Sequence, residues 1–164
     1  MPFFRRSKGL EHAILGGWEL NGILTLQRGV PFTVTAGTDR SLSAVGLDHA
    51  DVLGPVATYN SASTGSKLAR YFDISAFANP ALGTFGSVGR NTLIGPGLQN
   101  FDVGLSKDFR VTENKRFQFR WGVFNSLNHP NFANPTASFS STNFGRILSA
   151  GNPRIMQVAL KFYY

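Results

Sequence analysis

Four stretches of the chain alternate apolar and polar residues with a period of two. Over residues 17–27, GWELNGILTLQ sets Trp18, Leu20, Leu24 and Leu26 against Glu19, Asn21, Thr25 and Gln27. Residues 100–111 set Phe101, Val103, Leu105, Phe109 and Val111 against Asp102, Gly104, Ser106, Asp108 and Arg110. Residues 116–124 set Phe117, Phe119, Trp121 and Val123 against Gln118, Arg120 and Gly122. The final stretch, IMQVALKFYY, sets Met156, Val158, Leu160, Phe162 and Tyr164 against Gln157, Ala159, Lys161 and Tyr163. In a strand, successive side chains point to opposite faces, so this pattern predicts an antiparallel sheet with one apolar and one polar face. We place long strands near 17–36, 100–111, 116–125 and 154–164. TENK (112–115) reads as a tight turn, whereas 37–99 and 126–153 are long, rich in Gly, Pro, Ser, Asn and Thr, and aperiodic. Segments of that length without periodicity are usually functional or mobile loops.

Helical periodicity is scarce. Residues 11–15 allow about one turn before Gly16 and Gly17 stop it, and an N-terminal extended stub is expected at 2–4. No run approaches the roughly 18 apolar residues of a transmembrane helix, and the arginine-bearing N-terminus lacks the sustained apolar stretch of a signal peptide.

Composition narrows the choice of sheet. Among 164 residues there are 15 Phe, 18 Gly and no Cys, and charged residues make up only 15%, too few for an ordinary water-facing surface. The formal net charge of +7 is scattered, dense only at Arg5-Arg6-Ser7-Lys8 and Lys115-Arg116. A scattered excess is weak evidence for a phosphate-binding face. It fits equally well with short basic turns beside anionic lipid.

Three features favour a membrane sheet over a soluble sandwich. The stretch 100–111 would be about 40 Å long, and tilted by about 45° it spans roughly 28 Å, near the thickness of an outer-membrane apolar band. Trp18, Phe109, Phe117, Phe162 and Tyr164 all fall toward the TENK edge if the strands run up and down, forming an aromatic interface belt. The opposite face carries Asp102, Asp108, Arg110, Gln118, Arg120, Gln157 and Lys161, suited to a water-filled or plugged lumen. A sandwich would need a second layer over the apolar face, and no segment supplies one. The predicted fold class is therefore all-β, an antiparallel up-and-down transmembrane β-barrel segment. It is an open sheet of about four long strands plus the N-terminal stub, with long loops on one side. Lys107 falls on the apolar face by parity, which requires either a snorkelling side chain near the turn or a register-shifting bulge.

Other chemistries find little support. KRFQFRWGVF superficially matches the aromatic-basic strand of an RNA-recognition motif, but the helices that motif needs are missing, so no nucleic-acid partner is expected. The glycines of GTFGSVGRNTLIGPG match neither a dinucleotide fingerprint nor a P-loop. His12, His49 and His129 are widely spaced with no i, i+4 pair, which disfavours a metal site. Asp102 and Asp108 lie roughly 20 Å apart along one strand, too far for paired acid–base work, and are expected to pair with Arg110, Arg120 or a plug. We expect no catalytic, cofactor-binding or metal-binding residues and no enzymatic activity. Tyr59, Tyr71, Phe72 and Phe77 in the first long loop offer either a ligand contact or packing of that loop, and packing is the favoured expectation.

Taken in order, GGWELNGILTLQRGVPFTVTAG, FGSVGRNTLIGPGLQNFDVGLSKDF, RFQFRWGVFNSLNHPNFANP, NFGRI and GNPRIMQVALKFYY resemble the C-terminal barrel end of TonB-dependent receptors. The nearest likeness is to the Oar-like group, which often carries a carboxypeptidase-regulatory-like domain. The resemblance implies a barrel of about 22 strands filled by a plug, in the outer membrane of a Gram-negative bacterium, importing large or scarce nutrients with energy relayed from the inner membrane. On that reading residues 1–164 are a C-terminal fragment, with 37–99 and 126–153 as extracellular-type loops. The last strand resembles the signal read by the barrel-assembly machinery, with Val158, Leu160, Phe162 and Tyr164 facing outward. Implied partners are outer-membrane lipid, the assembly machinery, the plug and the remaining strands, with the energy-coupling protein reached only through the plug. The competing expectation is a soluble β-sandwich binding or adhesion module with a basic surface.

Overall fold

The computed structural model describes residues 16–59, 61 and 63–164. The stub at 2–4, the helical turn at 11–15 and His12 lie outside the described residues. The described residues divide into two compact units, one formed by those of 16–26, 99–130 and 152–164, the other by those of 27–98 and 131–151.

The first unit is a four-stranded sheet of β1 (Trp18–Gln27), β6 (Leu98–Arg110), β7 (Arg116–Phe124) and β8 (Ile155–Tyr163), adjacent in that order. β6 and β7 pair antiparallel without interruption from Val103↔Val123 to Arg110↔Arg116. β7 and β8 pair likewise from Arg116↔Tyr163 to Phe124↔Ile155. Beside β6, Glu19 reaches Ser106 and Asn21 lies against Gly104, so residue numbers rise along β1 as they fall along β6. The sheet is thus an antiparallel meander. Its tight turn closes where Val111 and Thr112 N–H donate to the Lys115 carbonyl at 2.9 and 3.1 Å. With 13 residues, β6 exceeds the roughly 9–11 that a transmembrane strand requires, while β7 and β8 have nine each.

The first strand is shorter than the pattern predicts. It ends at Gln27 rather than near 36, and the chain resumes extended structure only at β2 (Pro31–Phe32), paired to β5 (Leu93–Ile94) in the second unit. Gly29 is the reason. A side chain there would collide with the Gly95 carbonyl, and Gly95 N–H donates to the Val30 carbonyl at 3.0 Å. Proline at 31 also has no N–H to continue a central ladder. The other boundaries differ from expectation by one or two residues.

The second unit replaces the expectation of two aperiodic loops with a folded body. β3 (Asp51–Val52) pairs with β4 (Phe77–Ala78), and α1 (Thr64–Ala69) and a 3₁₀ turn at Ile74–Ala76 lie between them in sequence. Segments 27–98 and 131–151 are joined by backbone bonds: Thr35 N–H to the Ala137 carbonyl, Tyr71 N–H to Gly145, and Ile147 N–H to Leu68, at 2.8–3.0 Å. Phe72, fully buried, is the hub of the core. Its ring lies 5.9 Å from Phe32, 5.6 Å from Phe77 and 5.2 Å from Phe144. Tyr71 and Phe77 are also buried, so packing, as expected, accounts for both. The Tyr71 hydroxyl donates to the Ile94 carbonyl at 3.1 Å, and burial raises its pKa.

A loop over 39–48 is held by two aspartates. Buried Asp48 accepts the N–H groups of Arg40 and Ser41, both at 2.6 Å, and the Ser41 hydroxyl at 2.9 Å. Asp39 accepts the N–H groups of Ser43 and Ala44. These bonds hold Leu42 and Ala44 at φ 62°, a left-handed conformation that non-glycine residues adopt only when their surroundings impose it. The Ser41 N–H, foremost among these donors, lowers the Asp48 pKa below its ordinary 3.8.

Two outcomes follow. Phe72→Ala should cost about 3–5 kcal/mol of the second unit's stability, opening protease sites across 27–98 while the sheet stays resistant. Because the folded Asp48 pKa is depressed, its stabilisation is present above 3.8 and is lost as pH falls through the lower folded value. In a proton-NMR titration, the Arg40 and Ser41 amide shifts should therefore titrate with a midpoint below 3.8, and a midpoint at or above that value would contradict the assignment.

Candidate functional site: a two-faced sheet

The continuous register sorts the strands' side chains into rows. On one face run Phe109–Phe117–Phe162, Lys107–Phe119–Leu160, Leu105–Trp121–Val158 and Val103–Val123–Met156. On the other run Arg110–Arg116–Tyr163, Asp108–Gln118–Lys161, Ser106–Arg120–Ala159 and Gly104–Gly122–Gln157. The period-two pattern thus becomes two chemically distinct surfaces.

The apolar face is bare. Leu20, Leu24, Leu26, Met156, Val158 and Leu160 are each 56–68% exposed. At roughly 1.5–3 kcal/mol for fully burying such a side chain, the burial these six forgo is comparable with the whole stability of a small domain. An apolar surrounding recovers that energy; water does not.

The structure brings the predicted belt residues toward the turn edge. Phe109 is registered opposite Phe117, whose ring lies 4.6 Å from that of Phe162, and Phe162 stacks on Tyr164 at 6.0 Å. Trp18 meets Phe119 edge-on at 6.1 Å. Of the outward residues of the last strand, Val158, Leu160 and Phe162 lie on the apolar face in register with Trp121, Phe119 and Phe117, and Tyr164 is 93% exposed.

Lys107 follows neither route expected for it. The register runs unbroken through Lys107↔Phe119, so no bulge shifts it. Nor does the side chain reach solvent, being only 3% exposed. Its ammonium lies 5.0 Å from the Trp18 ring centre and 4.9 Å from that of Phe109. The negative faces of two rings replace part of the hydration that burial removes. Period-two parity identified the residue, but only the cross-strand register reveals its aromatic box.

The polar face forms an open groove, with Glu19, Asn21, Gln118, Arg120, Gln157 and Lys161 among its lining. All the predicted polar residues fall on this side except that Asp102, at the end away from the turn, has a structural task. Its carboxylate accepts Asn100 Nδ2 and the Asn125 N–H, each at 2.9 Å. Asp108 lies 3.9 Å from Arg116, a partner outside the expected set of Arg110, Arg120 or a plug. Arg116 also covers the Tyr163 ring at 4.4 Å, and the Tyr163 hydroxyl donates to Gln118 at 3.3 Å.

Asn125 escaped the sequence reading. Buried and left-handed at φ 49°, it donates from Nδ2 to the His129 and Asn152 carbonyls and accepts the His129 N–H. Asn128, at φ 52°, accepts the Arg154 N–H at 3.0 Å. Together they tie the chain leaving β7 to the chain entering β8. The signal was present in NSLNHPN, since Asn tolerates this conformation better than other side chains do. Among the described residues, no group of three or more His, Asp or Glu is arranged to hold a metal ion. His49 Nδ1, half-buried in the second unit, lies 2.6 Å from the Val88 carbonyl.

Compared with models of protein families, residues 1–157 match that of the outer membrane beta barrel domain. The chain belongs to that family. No curated protein and no solved structure matches it. Membership in an outer membrane β-barrel domain family gives the bare face its solvent, the hydrocarbon of the outer membrane of Gram-negative bacteria. Among the described residues the long strands form a four-stranded sheet that is not closed, and a barrel needs about eight.

Lys107→Met should insert and fold like the parent, because it keeps the side-chain volume on an apolar face. Lys107→Glu sets an anion against two negative ring faces and should lose about 1–2 kcal/mol. Urea titration of a complete barrel containing this segment, folded in detergent and followed by gel mobility without heating, separates the two. Equal stability of both variants would contradict the aromatic-box assignment.

Proposed function

We propose that this chain is the C-terminal part of an outer-membrane TonB-dependent receptor of the Oar-like group. The observation that carries the reading is the unbroken β6–β7–β8 register, whose rows from Val103–Val123–Met156 to Phe109–Phe117–Phe162 are apolar apart from Lys107, while the interleaved rows are small or polar up to the apolar pair Phe124–Ile155 at the end away from the turn. The order of the segments that resemble such receptors supports the finer assignment, and family membership supports the barrel.

In this role the sheet supplies four transmembrane strands. Its tight turn faces the periplasm and the ends joined by the long connections face outside, following the short-turn, long-loop asymmetry of such barrels. Trp18, Phe109, Phe117, Phe162 and Tyr164 lie at the periplasmic interface. Asp108, Arg110, Gln118, Arg120, Gln157 and Lys161 line the lumen, with Asp102 fixing its outer rim. The assembly machinery reads β8 through Val158, Leu160, Phe162 and Tyr164, the free edge adding to the machinery's own open edge. Transport belongs to the whole receptor: ligand binds at the external loops and lumen, and the plug moves in response to periplasmic energy. The segment performs no catalysis of its own, needs no cofactor and binds no nucleic acid.

Two measurements test this. Deleting residues 155–164 from the full receptor should lower the folded, heat-modifiable outer-membrane species at least about tenfold, as expected if edge pairing drives assembly. The reading frame upstream should encode further alternating strands and a plug with an energy-coupling box. A closed barrel without a plug would overturn the receptor assignment but leave the barrel intact.

A further inference from the structure

We propose that the second unit carries a binding site for a small oxyanion with a short apolar body, a carboxylate or a phosphate monoester, and that Arg28 and Thr58 are its donors. The site does not rest on the receptor reading, since any barrel with this unit would carry it.

The site is a surface cavity of about 490 Å³, a size suited to small ligands, and every residue lining it belongs to the second unit. Its floor is backbone. A Cβ on Gly29 would collide with the Gly95 carbonyl, and one on Gly97 would sit 2.9 Å from the Gln27 carbonyl, so the two segments meet with no side chain between them. The β2–β5 pair extends this floor, and the buried Tyr71 hydroxyl, donating to the Ile94 carbonyl at 3.1 Å, holds it from the core side. One wall is an extended segment. Thr58 bridges to Phe72, while Tyr59 N–H donates to the Tyr71 carbonyl and Asp73 N–H to that of Ala57, at 2.7 and 2.8 Å. Val56 and Thr58, two residues apart, therefore share a side and both line the cavity. The framework is set by the fold, which lowers the ordering cost of binding.

The groups left over in this cavity are donors. Arg28 is exposed and forms no ion pair or hydrogen bond among the described residues, and neither does the Thr58 hydroxyl. Thr92, also on the lining, already donates to the Gly89 carbonyl at 3.3 Å. No carboxylate lines the cavity. The acidic side chains of the unit, Asp39, Asp48, Asp51 and Asp73, each accept a backbone N–H elsewhere, from Ala44, Ser41, Ser87 and Ser75. A guanidinium and a hydroxyl with no acceptor between them select a group that only accepts, which an ionised carboxylate or phosphate does. Val56, Leu93 and Ile94 supply the apolar part of the lining, which calls for a short aliphatic body beside the anion.

The test uses the complete barrel folded in a non-ionic detergent, with ligand-observed NMR as the readout. The probes are isovalerate, isopentyl phosphate, the uncharged isovaleramide and inorganic phosphate. Isovalerate or isopentyl phosphate should bind saturably, and the tighter of the two names the headgroup. Isovaleramide and inorganic phosphate should bind at least about tenfold more weakly than that anion. Arg28→Gln should weaken the anion at least about tenfold and Thr58→Val by a smaller factor. Arg146→Gln, which removes a cation of the same unit outside the cavity, should leave binding unchanged. Arg28 and Thr58 are both exposed, so the variants should fold, and heat-modifiable mobility confirms it. The proposal is overturned if isovaleramide binds as well as isovalerate, if inorganic phosphate matches its ester, or if Arg28→Gln has no effect. Failure of both organic anions to bind at about 10 mM overturns it as well. A barrel that binds the anion but holds no plug keeps the site and defeats the receptor reading, whereas a plugged barrel that binds neither anion does the reverse.

Discussion

The constraint on which the rest depends is backbone hydrogen bonding in a medium that offers none. A segment in hydrocarbon must satisfy its N–H and C=O groups internally, and strands do so only by pairing with neighbours. The β6–β7–β8 ladder meets this with an uninterrupted register. A one-residue slip would send every apolar side chain to the polar face and every polar one toward lipid. Phe117, Phe119, Trp121 and Val123 each have apolar partners on β8, so the pattern and the pairing enforce one another.

Lys107 shows how such a surface tolerates an exception. A cation on a lipid-side face is expensive at the middle of a bilayer and nearly free close to its edge. Three residues from the end of β6, Lys107 is near the edge, and Trp18 and Phe109 supply ring faces on either side of its ammonium. The same aromatics that suit an interface also accommodate the charge.

The sheet was legible because period-two alternation is local and each strand carries most of it, with Ile23, Lys107, Phe124 and Ile155 as the exceptions. The second unit was not, because its core is assembled from single residues far apart in sequence. Phe32, Phe72, Phe77 and Phe144 touch one another across segments with no shared period. Their phenylalanines stood out in the composition, but only the packing of Phe72 among Tyr71, Ile147 and Phe144 gives them a place. The end of β1 was misread for a related reason. Residues 28–36 keep an extended, apolar character, and the signal that breaks the strand is Gly29 packed on the backbone of Gly95, a long-range contact. For the polar face, parity assigned the side of each residue correctly but not its partner: Asp108 meets Arg116, a pairing fixed by register and side-chain reach.

The folded second unit changes what the two long connections can do. Separate flexible loops would respond to a ligand independently. Here Thr35 bonds to Ala137 and accepts from Phe139, while Gly145 N–H and carbonyl bond to Thr136 and Tyr71, so the two connections share one hydrogen-bonded core. Displacing either one breaks into the aromatic cluster around Phe72, and packed cores resist gradual deformation. The connection between β1 and β6 and the connection between β7 and β8 therefore move as one body or unfold together.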